Sequence, residues 1–248
     1  MSGRDGGRRI AVLGGAGGIG RVLVADLIAR GDEAIVLDLP ASLERHPLET
    51  RTIGIDVHDE ASIAAAVKEL AEAAPNIDGF VNLVGYNNRI QPLAETATDY
   101  FDDIIAVNLR GLFLATKAIL PLLSDGAGAV LLASGLGQYI RPGFGSYAAS
   151  KAGVIALGKT FALETAPRLR VNIVAPGAVD TAFLRGGTGR SDESAEPDIP
   201  VDAYAANLPL KRLAQPEDVV GPIRFLLGPD SRYMTGQVLW VNGGAYMP

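Results

Sequence analysis

Short runs of consecutive apolar residues alternate along this chain with longer stretches whose apolar positions recur every three or four residues. Arg9–Leu13 (RIAVL), Ala34–Asp38 (AIVLD), Arg51–Ile55 and Asp78–Val84 (DGFVNLV) are runs of the first kind. So are Ala129–Ala133, Arg170–Val174 and Val238–Val241. Their length and near-continuous apolar character predict strands buried on both faces. Gly18–Arg30 sets Ile19, Val22, Leu23, Leu27 and Ile28 on one side of a helix, and Gly31 supplies its stop. Further helices are expected over Glu60–Ala74, within Thr98–Leu123, over Ser146–Thr165 and over Pro216–Leu227. Buried strands separated by helices imply α/β architecture: a doubly wound parallel sheet with helices on both faces.

No repeat and no linker interrupts the pattern, so residues 1–248 read as a single domain with a flexible polar start over 1–8. The one long irregular stretch is Phe183–Leu208, which contains GGTGRSDESAEPDIP. It is too polar and too rich in breakers for the core. It follows a strand, and ligands of open α/β sheets bind beyond the carboxyl ends of strands, so a substrate lid is expected over 183–208.

Composition removes several function classes. The chain has no cysteine, which excludes disulfides, thiolate catalysis and zinc–cysteine sites. A net charge of -6 counts against a dedicated nucleic-acid binder. His46 and His58 are the only histidines and neither sits in a ligand pattern, so no metal site is expected. Ile104–Leu123 is apolar but holds Asn108, Arg110, Lys117 and Pro121, as a buried helix does, so no membrane contact is expected. No apolar signal core follows MSGRDGGRR, and a cytoplasmic location is the expectation.

The 30 glycines are informative where they cluster. Gly14-Gly15-Ala16-Gly17-Gly18-Ile19-Gly20 joins the first strand to the first helix. Glycines there let the backbone approach a pyrophosphate, and the helix N-terminus adds free amides and a positive dipole end. Three spacing templates fit the glycines at once, so their spacing alone selects no subfamily. Asp38 ends the second strand, where a carboxylate accepts from adenosine ribose hydroxyls and repels a 2′-phosphate. Leu39, not arginine, follows it. Both features favour NAD over NADP. Asp56, ending the third strand, is a candidate for the adenine edge.

Tyr147 and Lys151 lie four apart on a predicted helix and therefore share a face. An ammonium beside a phenol lowers its pKa and suits it to general acid/base work on an alcohol or ketone. Ser134, at the end of the fifth strand, can donate to a substrate oxygen. Asn108 interrupts IIAVNLRGLF, and a water held by it could connect to Lys151.

With these residues in place, the chain resembles a short-chain dehydrogenase/reductase of the compact single-domain branch, over roughly Ile10–Gly244. GGAGGIG matches that family's glycine turn. Asp56-Val57 matches its adenine-contacting dipeptide. VNLVG, with Asn82 and Gly85, lies where the family has Asn-Asn-Ala-Gly. Pro176-Gly177, with Val179 and Thr181, resembles its nicotinamide-carboxamide segment. Asn108, Ser134, Tyr147 and Lys151 match its catalytic tetrad. The resemblance implies a Rossmann-like fold, NAD as cofactor and a homotetramer. It implies hydride transfer to or from a small secondary alcohol or ketone. Tyr147 is then the acid/base. Lys151 lowers its pKa and holds the nicotinamide ribose. Ser134 polarises the substrate oxygen, and Asn108 carries a water-linked relay. Leu13 stands where the family has threonine, and Leu83-Val84 replaces Asn-Ala, so re-braced cofactor support is expected. Substrate contacts are expected from Tyr86–Arg89, Leu136–Phe144 and the lid, with Arg89 and Arg141 as candidate anion partners. Two other readings stay open: an NADPH-type acyl-carrier or polyketide ketoreductase, and a non-catalytic NAD-binding sensor or scaffold.

Overall fold

The structure, a computed structural model, describes residues 7–189, 191–197 and 199–247. Its seven strands are β1 (Arg9–Leu13), β2 (Glu33–Asp38), β3 (Arg51–Gly54), β4 (Ile77–Asn82), β5 (Leu123–Leu132), β6 (Arg170–Pro176) and β7 (Val238–Val241). All pair in parallel, in the order β3-β2-β1-β4-β5-β6-β7. The strand order reverses between β1 and β4. In such a sheet the crevice outside the carboxyl ends of those two strands is the place for a ligand.

Side chains alternate across each strand, so one run feeds two cores. Ala11, Leu13, Ile35 and Leu37 face one layer, and Ile10, Val12, Ala34 and Val36 the other. The first layer is covered by α3 (Glu60–Ala73), α4 (Thr98–Ile105), α5 (Leu112–Ile119) and α6 (Gly145–Thr165). The second is covered by α1 (Gly18–Ala29) and α8 (Pro216–Leu227). The helical run Thr98–Leu122 is long and apolar enough to cross a membrane. Its Ile104, Val107, Leu112, Ala115 and Ile119 are instead buried in the sheet-facing core.

Four features differ from the sequence expectation. First, α4 and α5 are joined by a π-helical turn, Ala106–Gly111, that carries Asn108. Second, β5 begins at Leu123, with a register irregularity between Ile77 and Gly79 where Ser124–Gly126 passes. Third, a short helix α2 (Pro40–Arg45) follows β2. Fourth, the stretch expected to be irregular holds a 3₁₀ turn, Ala182–Arg185, and a two-turn helix α7 (Val201–Asn207). The flexible start expected over 1–8 falls mainly on residues outside those described. Arg8 itself is tied down, its guanidinium donating to Asp32 at 2.6 Å.

Phe80, at the centre of the sheet on β4, is fully buried. Phe80→Ala removes a ring that the packed layers cannot replace. It is expected to lower the unfolding free energy by about 3–5 kcal/mol, read as a fall in the urea midpoint at constant slope.

Candidate active site

A cavity of about 630 Å³ lies over the carboxyl ends of the strands. One side is the glycine turn between β1 and α1. The opposite side is the β5 end, the start of α6, the segment after β6 and the 183–207 stretch.

The glycine turn is shaped by close backbone approach. Gly14 has φ +84°, a conformation that other residues adopt with strain. A Cβ at Gly20 would overlap the Gly14 carbonyl, so the turn and the helix can meet only through glycine. No side chain caps α1, which leaves its first-turn amides for an anion. Asp38 steadies the turn: its carboxylate accepts from Ala16 N at 2.8 Å and from Leu39 N at 2.7 Å. Burial raises its pKa, and those two bonds pull it back. Gly14, Gly17, Gly18, Ile19, Gly20, Asp38, Asp56, Val57 and Gly85 all border the cavity, as do Pro176, Gly177, Val179 and Thr181. A pyrophosphate cradle, a ribose-side carboxylate and a far wall after β6 thus share one continuous space, and they fit a nicotinamide dinucleotide.

Asn82 is the exception among the expected cofactor residues. It is fully buried and does not border the cavity. Its amide donates to Thr116 Oγ1 at 3.1 Å, and its Oδ1 accepts from Val84 N at 3.1 Å. Its work is to brace β4 against α5.

Ser134, Tyr147 and Lys151 border the cavity together. The tyrosine and lysine sit one turn apart on α6, and Ser134 follows β5. The Ser134 hydroxyl accepts from Leu136 N at 3.2 Å, which fixes its orientation. Burial pushes the Tyr147 phenol above its ordinary pKa, and the Ser134 hydroxyl partly offsets this. Lys151 is 2 % exposed. Its ammonium donates to Leu132 O at 2.9 Å and Val84 O at 3.3 Å, and lies 5.8 Å from the Tyr147 ring centroid. Burial lowers its pKa to about 7. Two carbonyls hold the lysine, and desolvation is the largest influence on both groups.

Asn108 stands behind the cavity wall. It is fully buried and does not border the cavity. Its Oδ1 accepts from Tyr86 N at 2.9 Å and its Nδ2 donates to Tyr86 O at 2.8 Å. Its side chain thus clamps the backbone beside Gly85. The π-helical turn is what aims it there.

The resemblance of these parts to known proteins is extensive. A family model described as Enoyl-(Acyl carrier protein) reductase matches residues 14–246. A Sinorhizobium fredii short-chain type dehydrogenase/reductase is 34% identical over 96% of this chain, although the chain spans only 43% of that longer protein. Levodione reductase of Leifsonia aquatica is 30% identical, over 96% of this chain and 93% of its own. The chain belongs to the short-chain dehydrogenase/reductase family. The ligand-free structure of Thermoplasma acidophilum aldohexose dehydrogenase superposes with a TM-score of 0.86 at 25% identity, over 98% of this chain and 96% of that one.

Further residues complete the lining. Leu13 and Leu83 both border the cavity beneath the glycine turn, and Leu83 N donates to Leu13 O at 2.8 Å. Backbone pairing thus braces the two strands where side-chain hydrogen bonds are missing. Of the two candidate anion partners, Arg141 borders the cavity and lies over the Tyr204 ring. Arg89 does not; it stacks on Tyr100. Phe183, Leu184, Gly187, Thr188, Ile199 and Pro200 face the cavity from the segment expected to be a lid. Tyr139 and Tyr204 border it too, within stretches the sequence had marked only as a whole. Tyr246 was missed altogether: it borders the cavity from the C-terminal segment, and no spacing rule pointed to it.

The buried ammonium sets a stability test. A lysine whose folded pKa lies below its unfolded value destabilises the fold fully below about pH 7. The penalty is relieved as pH rises from there towards the ordinary lysine value. Lys151→Met is expected to raise Tm at pH 6 by about 3 °C or more, with the gap over the parent protein shrinking towards pH 10. Scanning calorimetry across that range reads it. A variant less stable at pH 6 would contradict the assignment.

Proposed function

We propose that the chain is an NAD(H)-dependent oxidoreductase interconverting a small secondary alcohol and its ketone. The observation that carries this reading is the meeting of Ser134, Tyr147 and Lys151 on one wall of the cavity whose other end is the glycine turn. Bound across that cavity, a nicotinamide dinucleotide supplies the hydride acceptor or donor and, when oxidised, a positive charge.

The chain's own residues handle the proton and the orientation. The Ser134 hydroxyl, held by Leu136 N, donates to the substrate oxygen. Tyr147 takes the hydroxyl proton in oxidation and returns it in reduction. Its buried phenol needs positive charge nearby to act as a base, since burial alone disfavours the phenolate. Lys151 stands below the ring to hold the ribose and contribute that charge. Asn108 is a positioning residue, fixing the Tyr86 backbone and through it Gly85.

The preference for NAD rests on the β2 end. Asp38 presents a carboxylate where a 2′-phosphate would lie, and Leu39 offers it no cation. Nearby, the Ser42 hydroxyl donates to Thr188 O at 3.2 Å. An acyl-carrier ketoreductase of the NADPH type would need this corner open and basic.

Oxidation of a panel of secondary alcohols, with NAD+ and NADP+ compared, tests the reading. We expect kcat/KM to be at least about 100-fold higher with NAD+, since opposing like charges costs several kcal/mol. Tyr147→Phe is expected to cut kcat by about 10²–10⁴-fold while NADH binding, read by fluorescence, persists. NADP+ preference, or full activity without the phenol, would overturn the assignment.

A further inference from the structure

Among the described residues, two buried side-chain polar atoms have no hydrogen-bond partner: Gln91 Nε2 and the Tyr246 hydroxyl. Only Tyr246 borders the cavity. Its ring is fixed from several directions. It stacks on Tyr139 at 4.0 Å between centroids and meets Trp240 edge-on at 5.9 Å. Asn242 shapes the turn behind it, with Nδ2 donating to Tyr246 O at 2.9 Å and Oδ1 accepting from Gly244 N at 2.8 Å. Both polar atoms of that amide are thereby engaged with backbone.

The hydroxyl has a specific seat. A Cβ on Gly135 would overlap it, so Gly135 is a glycine that makes room for the tip of Tyr246. Gly135 directly follows Ser134, and consecutive Cα atoms stand about 3.8 Å apart. A second phenol thus lies beside the serine that receives the reacting oxygen. A buried hydroxyl without a partner is unfavourable, and a ligand oxygen that satisfies it removes the penalty. The segment that carries it turns through Gly243 (φ +61°) and Gly244 (φ +82°); a ligand oxygen reaches the hydroxyl only when this segment shifts it off its seat on Gly135.

We propose that Tyr246 is a specificity-determining residue whose hydroxyl donates to a second substrate oxygen, on a carbon adjacent or next-adjacent to the reacting one. The substrate class is then a vicinal or 1,3-oxygenated compound, a diol or hydroxyketone, in preference to a simple alcohol. The aromatic walls of Tyr139, Phe144, Phe183 and Tyr204 suit a compact ring as its carbon frame. This inference rests on the alcohol/ketone reading above and narrows it.

The test compares kcat/KM for cis- and trans-cyclohexane-1,2-diol with that for cyclohexanol, using NAD+ and the full chain. The wild type is expected to favour at least one diol. Tyr246→Phe keeps the ring and its stacking and removes only the hydroxyl. It is expected to lower the diol-to-cyclohexanol ratio about 10-fold or more, as one lost hydrogen bond does, with the change in KM. Tyr246→Leu, which also removes the ring, is expected to lower the ratio by a similar factor, so that the hydroxyl and not the packing accounts for it. NADH binding reports that each variant is folded. A wild-type preference for cyclohexanol, or an unchanged ratio in Tyr246→Phe, overturns the proposal while leaving the general reading intact. Failure of the wild type to oxidise any of the three, together with a wider panel of secondary alcohols, overturns both.

Discussion

The arrangement of the site depends on one buried ammonium. Lys151 reaches from α6 to the ends of β4 and β5 and binds a carbonyl from each, Val84 O and Leu132 O. Its neighbours are chosen around it. A Cβ on Gly85 would come within 2.7 Å of Nζ, and one on Gly137 within 2.8 Å of the Lys151 backbone. The backbone after Gly85 is in turn gripped by Asn108 from the π-helical turn. Three elements thus converge on a charge that the interior disfavours. Such strain against stability is characteristic of functional positions.

Most of the architecture was legible because the sheet is buried on both faces and its strands read as unbroken apolar runs. β7 (Val238–Val241) and α8 (Pro216–Leu227) occur over the expected residues. The glycine turn was legible for a related reason, since Gly14 and Gly20 meet geometric demands that other residues fail. The parts that were not legible depend on tertiary contacts. LSDGAG reads as a turn, yet Leu123–Gly128 runs on as strand because β4 pairs with it across an irregular register. IIAVNLRGLF has helical periodicity throughout, and nothing local reveals that one turn widens to aim Asn108 at Tyr86. Asp38 was placed correctly at a strand end and Asn82 within the fourth strand, which in fact ends on it, but their hydrogen bonds to Thr116, Val84, Ala16 and Leu39 emerge only from the fold.

Two further features shape this site. The first is the anchoring of the 183–207 stretch to the cofactor end of the cavity. Ser42 holds Thr188 O, Arg45 binds Ser191 O at 3.0 Å, and both Arg45 and His46 reach Glu193. Burial raises the Glu193 carboxyl, but its hydrogen bonds to His46 and Arg45 outweigh this and hold the pKa below the ordinary value. One segment therefore spans from the Asp38 corner to the substrate walls. The second is the aromatic group of Tyr139, Trp240 and Tyr246, which brings the end of the chain to the residue beside Ser134.

On the proposed reading, both features serve a single chemical event at the wall formed by Ser134 and Tyr147. The most direct measurement of that event is isotope transfer from a secondary alcohol deuterated at the carbinol carbon, incubated with NAD+ and the full chain. Mass analysis of the recovered cofactor should show one deuterium in the reduced nicotinamide, with none appearing when Tyr147 is replaced by Phe over the same period. Recovery of unlabelled cofactor from a protein that binds NAD+, across a broad set of labelled alcohols, would contradict the account.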